Sequence, residues 1–339
     1  MAHLRQHLRT LRFLLILWLF MALIFSLSSR AEETKPSDFQ VEKSQQALTI
    51  MSWNMEWFGA SQRPRTTADY QYFAGVIRQI APDIITFQEV DNYRALRRIL
   101  PGKQYRIFLS DRQEQIQEGF KDSNQYTGFA VKHTLNVADP KDLASLNIRY
   151  APATGETPRR GRLRYGAYII IYPESGPPLH LLNVHLKSGC YAQKISKRSA
   201  SCRVLGYQAT ILSNWISQRL AHRESFLISG DFNHRLAEPG SWLFTSLVNQ
   251  GDDKDTVHLL TKNVQASCYV RLSRAGKKTK YRHYTKLIDH FVSSADIAEA
   301  AQRGQVYQFS FTGQDVSRYT LSDHCPLVLR LPWPSNHPK

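Results

Sequence analysis

The sequence predicts an α/β domain, and three observations carry the prediction. Short apolar runs of strand type recur between residues 47 and 333. Between some of them, apolar residues recur at helical spacing. Several runs end in an acid, an amide or a histidine, and ligand sites in open α/β sheets gather at the carboxyl ends of strands.

The elements follow in order. Arg5, Arg9 and Arg12 precede the 16-residue apolar run "FLLILWLFMALIFSLS" at 13–28, short of the ~20 residues a membrane span needs. Ser29-Arg30-Ala31 then supplies small residues where a signal peptidase cuts, so residues 1–31 read as a signal peptide. An uncleaved anchor is the alternative, and either way the body is exported to the periplasm or the medium. Residues 32–46 are polar and aperiodic, a linker. From 47, "LTIMSWN" is a first strand, and "DYQYFAGVIRQI" places Phe73, Val76, Ile77 and Ile80 on one helix face. "DIITFQEV", "YRIFLS" and "TGFAVK" are strands. "YGAYIIIYP" and "LHLLNVHLKS" are joined by the turn "ESGPP". Leu205, Ala209, Leu212 and Ile216 mark a second helix. "FLISGDFN", "KLIDHFVSS", "VYQFSFT" and "CPLVLRLPW" complete the strands. No repeat or second linker appears, so residues 47–333 form one domain.

Composition narrows function. With 42% hydrophobic and 11% aromatic residues, the chain can build an ordinary core. Its net charge is +16, and the residues after the signal segment carry 40 basic against 28 acidic side chains. Such a surface favours polyanions, either nucleic acid or acidic lipid. Export permits disulfides. Cys190 and Cys202 bracket a polar loop and are expected to pair; Cys268 and Cys325 could pair too, since four cysteines allow three connectivities, but are expected as buried thiols. No cysteine spacing suits a metal.

The polar strand ends are specific. Asn54 and Glu56 are two apart in "SWNMEW", which on a regular strand puts both on one face. Glu89 closes "IITFQE". Asn183, His185 and Lys187 alternate in "NVHLK". Asp231 and Asn233 close "FLISGDFN", Asp289 ends "KLID", and Asp323 and His324 stand side by side in "SDHCP". Neighbouring strand residues face opposite ways, so that last pair converges only from a rim loop. Carboxylates and amides suit Mg²⁺ or Mn²⁺. A histidine beside an acid can take a proton from water. Together they describe metal-assisted hydrolysis of a phosphate ester.

"SWNMEW", "TFQEV", "QYTGFA", "LNVHLKS", "GDFNHR", "LIDHF" and "SDHCP" occur in the order of the endonuclease/exonuclease/phosphatase superfamily, and residues 47–331 resemble an exported, bacterial-type member. The resemblance implies a DNase I-like four-layer α/β/β/α sandwich. It implies metal ligation by Glu89, with Asn54, Glu56 and Asp323. It implies that His324 is the general base or a phosphate contact, that Asp289 orients it, and that Asp231 orients the nucleophile or serves the leaving group. Asn233, His185 and Tyr126 would hold the phosphate. Other polar residues have plainer readings. Asp83 reads as a cap or turn, His290 as structural, His234 as support, and Trp53 and Trp57 as core.

Three acid-free basic stretches bear on substrate: "RRGRLR" at 159–164, "KISKR" at 194–198 and the loop 271–286. In the last, Tyr281 and Tyr284 interleave with cations, as in single-strand binders. The expected activity is therefore a nuclease acting on DNA or RNA. Lys187 and Ser188 are candidate contacts to substrate, as are Lys277, Lys278 and Lys280. The protein is expected to be a monomer with no stable membrane association after signal cleavage. A secreted phospholipid or sphingomyelin phosphodiesterase, or a phosphatase of the same superfamily, is the alternative. A non-catalytic polyanion binder is a further one.

Overall fold

The structure, a computed structural model, describes residues 47–118, 123–150, 159–174, 176–191, 199–248, 257–272 and 278–332. The expected signal segment and linker lie outside the described residues, as do Lys277 and the run 194–198.

Sixteen strands are present among the described residues: β1 (Ala47–Phe58), β2 (Ile84–Val90), β3 (Tyr105–Leu109), β4 (Tyr126–Lys132), β5 (Asn136–Ala138), β6 (Ile148–Tyr150), β7 (Arg159–Arg160), β8 (Ala167–Tyr172), β9 (Leu179–His185), β10 (Ser225–Asp231), β11 (Val257–Leu259), β12 (Cys268–Leu272), β13 (Lys280–Tyr284), β14 (Asp289–Ser294), β15 (Gln305–Gln308) and β16 (Leu327–Pro332). The helices are α1 (Thr67–Ile80), α2 (Tyr93–Arg97), α3 (Ala200–Ala221), α4 (Trp242–Val248), α5 (Ala295–Gln302) and α6 (Gly313–Arg318).

Two six-stranded sheets form the body, in the orders β15-β16-β1-β2-β4-β3 and β11-β14-β10-β9-β8-β5. Each has a parallel pair at its centre, β1 with β2 and β9 with β10, flanked by antiparallel strands. Ile50, Ile84 and Phe129 of the first sheet meet Leu181, Leu227 and Phe291 of the second in a core between them. The outer face of the first sheet packs on α1, and that of the second on α3 and α4. This is the four-layer α/β/β/α sandwich. Every residue of β9 and β10 is buried, because these strands are covered on both faces.

Local sequence explains the layers. Thr66 caps α1 in a reciprocal box with Asp69, and Tyr70, Phe73, Val76, Ile77 and Ile80 turn one stripe to the sheet. Gly230 has φ +129°, and a Cβ there would lie 2.1 Å from Val184 O. Only glycine lets β10 approach β9 so closely just before Asp231. Asn183 belongs to the packing and not to the site. Its Nδ2 donates to Phe87 O at 2.8 Å and Gly128 O at 2.7 Å, and its Oδ1 accepts from Gln88 Nε2 at 2.7 Å, stitching the sheets together. Asp83 is structural as expected, accepting from Thr49 N at 2.8 Å and pairing with Lys132 at 2.9 Å.

Two expectations are corrected. Cys268 and Cys325 are not thiols: they form a second disulfide beside Cys190–Cys202. The stretch 271–286 is not simply a loop, because it holds the end of β12 and all of β13, which pair as an antiparallel hairpin. Among the described residues no helix is long and apolar enough to cross a membrane.

Candidate active site

The polar strand ends meet at one edge of the sandwich. The parallel strands β1, β2, β9 and β10 finish there, at Asn54 and Glu56, Glu89, His185 and Asp231. Their antiparallel neighbours begin there, so Tyr126 opens β4 and Asp289 opens β14. Asp289 therefore enters from the start of a strand, not the end that the sequence suggested. The Asp323-His324 loop precedes β16. Ser322 Oγ donates to Asn54 O at 2.6 Å and accepts from His324 N at 3.0 Å, and Trp53 Nε1 donates to His324 O at 3.0 Å. These bonds hold the rim loop so that neighbouring side chains can both face the site.

Backbone strain collects at the same edge. Six non-glycine residues among those described have positive φ, and four are Glu56 (47°), Trp57 (50°), Glu89 (57°) and Asn233 (51°). Such conformations cost energy and cluster where function demands a geometry. The β1–β2 register breaks between Asn54 and Phe58, a bulge that re-aims side chains, so simple alternation does not place Glu56. Arg65 braces the bulge, its Nη2 donating to Met55 O at 2.9 Å and Glu56 O at 2.8 Å. Arg63 pairs with Glu56 at 3.0 Å. Trp57 is not core: it is half-buried on this lip, its N–H donating to Glu89 Oε2 at 3.2 Å. Trp53 is core, stacked on Phe73 at 4.5 Å.

His324 and His185 lie in opposite electrostatic settings. His324 Nδ1 sits 2.7 Å from Asp289 Oδ2, and its Nε2 is 3.8 Å from Asp231 and 3.9 Å from Asp323. Burial opposes charge on this ring, but the carboxylates, led by Asp289 and Asp231, outweigh it and hold His324 well above its ordinary value. His185 Nε2 is 3.4 Å from Asp231 and 3.6 Å from Glu89. Burial first, then the Arg164 guanidinium against the same nitrogen, keep His185 neutral, well below its usual value.

Asp231 is the hub. Asn54 Nδ2 donates to its Oδ2 at 3.0 Å and to Glu89 Oε1 at 3.3 Å. Asn233 donates through its backbone N at 2.7 Å and through Nδ2 at 3.0 Å. Burial pushes the Asp231 carboxyl up, with Asp289 adding to the push and His324 opposing it. Burial also raises Glu89, which Arg164 opposes and Asp323 reinforces. Glu56 is pushed up to about 8 by burial and then by Asp323.

Arg164 is the residue that sequence reasoning missed. It ends "RRGRLR", read only as a basic stretch near substrate, yet it is half-buried with its guanidinium against His185 and its charge toward Glu89 and Asp231. Arg112 was missed as well. It lies under the Tyr126 ring at 5.2 Å and donates to Leu163 O at 3.1 Å. Lys187 Nζ donates to Ser188 O at 2.7 Å, and its backbone N donates to Gln208 at 2.8 Å. His290 bridges Thr261 at 2.8 Å and the Leu236 N–H at 3.2 Å, structural as expected. His234 Nδ1 meets Cys190 O at 2.9 Å and so supports the disulfide loop.

Among the described residues, Asp231, Asp289 and His324 offer ligand atoms within 4.8 Å of one another. A charged imidazole with Nδ1 held by Asp289 has no lone pair for a metal. The oxygens of Glu56, Glu89 and Asp323 fit a hard divalent cation better. Asp323 raises both Glu56 and Glu89, a crowding of like charge that such an ion relieves.

Carboxylates, amides and histidines gathered on one edge of two packed sheets suit the hydrolysis of a phosphoester. The chain belongs to the Endonuclease/Exonuclease/phosphatase family, whose model matches residues 51–324; members are generally dependent on a divalent metal. Among solved structures, truncated Caenorhabditis elegans TDP2 aligns with TM-score 0.52 and 15% identity over 84% of this chain and 97% of that one. A family protein from Bacteroides thetaiotaomicron aligns with TM-score 0.51 and 12% identity over 85% and 98%. At these identities the likeness is one of fold. No curated protein matches the sequence.

Proposed function

We propose that the protein is an exported, divalent-metal-dependent nuclease that hydrolyses DNA or RNA phosphodiesters. The observation that carries the substrate class is the placement of the β12–β13 hairpin. The sequence has no acid from Cys268 to Leu287. The hairpin runs within five residues of Asp289 and is bonded through Cys268 to Cys325, next to His324. Lys278 and Lys280 lie exposed on it. Cations so placed bind a phosphate backbone without sequence choice.

The site's own residues divide the chemistry. Glu89 and Asp323, with Glu56, would hold Mg²⁺ or Mn²⁺, which when bound supplies positive charge to a phosphate oxygen. Asn54 aligns Glu89 and Asp231 instead of ligating, since its Nδ2 faces both carboxylates and its Oδ1 accepts from Glu56 N at 3.0 Å. Asp231, pushed up by burial, takes the proton from the attacking water, because a base near operating pH is the efficient one. His324, kept charged by Asp289, donates Nε2–H to a phosphate oxygen. That choice takes the second of the two roles expected for His324. Arg164 and His185 line the floor beside it, and Tyr126 stands at the lip over Arg112. Two disulfides suit an oxidising compartment, in keeping with residues 1–31 as a signal peptide and 47–333 as the domain.

The purified chain should be incubated with plasmid DNA, RNA and sphingomyelin, each with and without EDTA. Cleavage of nucleic acid that EDTA abolishes is expected. Sphingomyelin hydrolysis with both nucleic acids intact would overturn the reading.

A further inference from the structure

The β12–β13 hairpin shows two faces. Directly opposed residues of an antiparallel pair share a face. Cys268 and Val270 turn inward and are buried in the core under the first sheet. Tyr269 opposes His283, and Arg271 opposes Tyr281, so these four share the outward face. Tyr269 and His283 stack with ring centroids 4.2 Å apart and planes 7° from parallel. Seven large apolar side chains among the described residues are exposed, and three lie on this hairpin: Tyr269 at 38%, Tyr281 at 53% and Tyr284 at 44%. Each residue of β13 is exposed.

The outward face groups three rings, Tyr269, Tyr281 and His283, in one place. Arg271 shares that face, its Nη2 donating to Thr320 Oγ1 at 2.5 Å, while Lys280 and Arg282 oppose Leu272 and Val270 and belong to the other face. A face meant to enter lipid would be continuously apolar. A face that sets Tyr269, Tyr281 and His283 beside one arginine offers bases a surface to stack on and phosphate a cation. Paired bases have no face free for this, so the match is to unpaired ones.

We propose that the outward face of this hairpin, Tyr269, Arg271, Tyr281 and His283, is a stacking platform for the bases of single-stranded nucleic acid running into the active site. The inference rests on the nuclease reading and narrows it to unpaired strands or frayed ends. Its position supports it. β13 leads through Leu287 to Asp289, and Cys268 is bonded to Cys325, so platform and reacting residues are fixed to one another. The aromatic pair is anchored at its base, where Ser267 Oγ lies 2.9 Å from His283 Nε2.

Fluorescence anisotropy in EDTA tests the platform without turnover. The probes are labelled oligo-deoxythymidine, a labelled duplex of equal length and phosphatidylglycerol vesicles. Tyr281→Ala and Tyr269→Ala should each weaken binding of the single strand by about tenfold, within the range of one lost base stack, and leave duplex binding unchanged. Tyr281→Phe should bind as wild type does. Arg282→Gln should weaken single strand and duplex alike. Unchanged single-strand binding in both alanine variants would overturn the proposal. So would parallel losses on strand and duplex, or vesicle binding that Tyr281→Ala abolishes. A wild-type chain that cleaves DNA while both tyrosine changes are silent sinks the platform alone. One that neither binds nor cleaves nucleic acid sinks the nuclease reading, and the platform with it.

Discussion

Arg164 lies with its guanidinium against His185 Nε2 in the floor of the site, and the two never share a charge. Burial draws the arginine down to about 10, opposed by Glu89 and Asp231, so it stays cationic while His185 is neutral. On the proposed reading, this half-buried cation facing Glu89 and Asp231 would meet the negative charge that develops on a phosphate. Arg164→Gln should lower turnover by about 10²-fold, the loss seen for one preorganised donor. The change should fall on kcat more than on KM. Steady-state kinetics with a circular-dichroism check of folding measures this, and wild-type turnover would remove Arg164 from the site.

Asp231→Ala should reduce turnover by about 10²–10⁴-fold, the contribution of a proton-transfer group, and His324→Ala by about 10²–10³-fold, the loss of one preorganised donor. Both variants should keep the wild-type far-ultraviolet spectrum. Near wild-type turnover for either one would show that the residue has no part in the reaction.

The polar groups that gather at the site were legible in the sequence because strand-end acids and amides stand out against apolar runs. "TFQEV", "GDFN" and "SDH" all arrive at one edge, as the pattern required. What stayed hidden depends on packing between distant segments. Arg164 reads as one of four arginines in a six-residue stretch, and only the fold brings it against His185. Asn183 alternates with His185 in sequence, yet it turns between the sheets to bond Gln88. Trp57 looks like core because the bulge at Glu56 cannot be read from residue types. The short helices α2, α4, α5 and α6 hold five to eight residues, too few for a period to show. The second disulfide joins residues 57 apart, and spacing alone does not pair them.

Both disulfides should be present in exported protein. Peptide mapping without reduction should link Cys190 to Cys202 and Cys268 to Cys325. Cys325→Ser should cost about 4 kcal/mol and Cys202→Ser about 3 kcal/mol, from the loop lengths in the chain-entropy model. Urea denaturation would measure the order, and a larger loss from Cys202→Ser would contradict it.

His290 supplies a pH dependence with a definite sign. Burial pushes it down to about 3, whereas an unfolded imidazole titrates near ~6.5. Between those values the unfolded chain binds a proton that the folded chain does not. Stability is therefore fully present above the unfolded value and falls as pH drops toward the folded one, by about 1.4 kcal/mol per pH unit at the steepest. His290→Gln should be less stable than wild type at neutral pH but lose less on acidification. Urea midpoints at neutral and mildly acidic pH would show it, and equal acid losses in both proteins would contradict the assignment.

Metal-dependent hydrolysis of nucleic acid is the reaction proposed for the Glu89–Asp231–His324 edge. Its most direct test follows DNA cleavage by wild type and Glu89→Gln through chelation with EDTA, dialysis and return of Mg²⁺ or Mn²⁺. Wild type should lose cleavage in chelator and regain it with the ion, while Glu89→Gln stays inactive throughout. Full wild-type cleavage in EDTA, or wild-type rates from Glu89→Gln, would contradict the account.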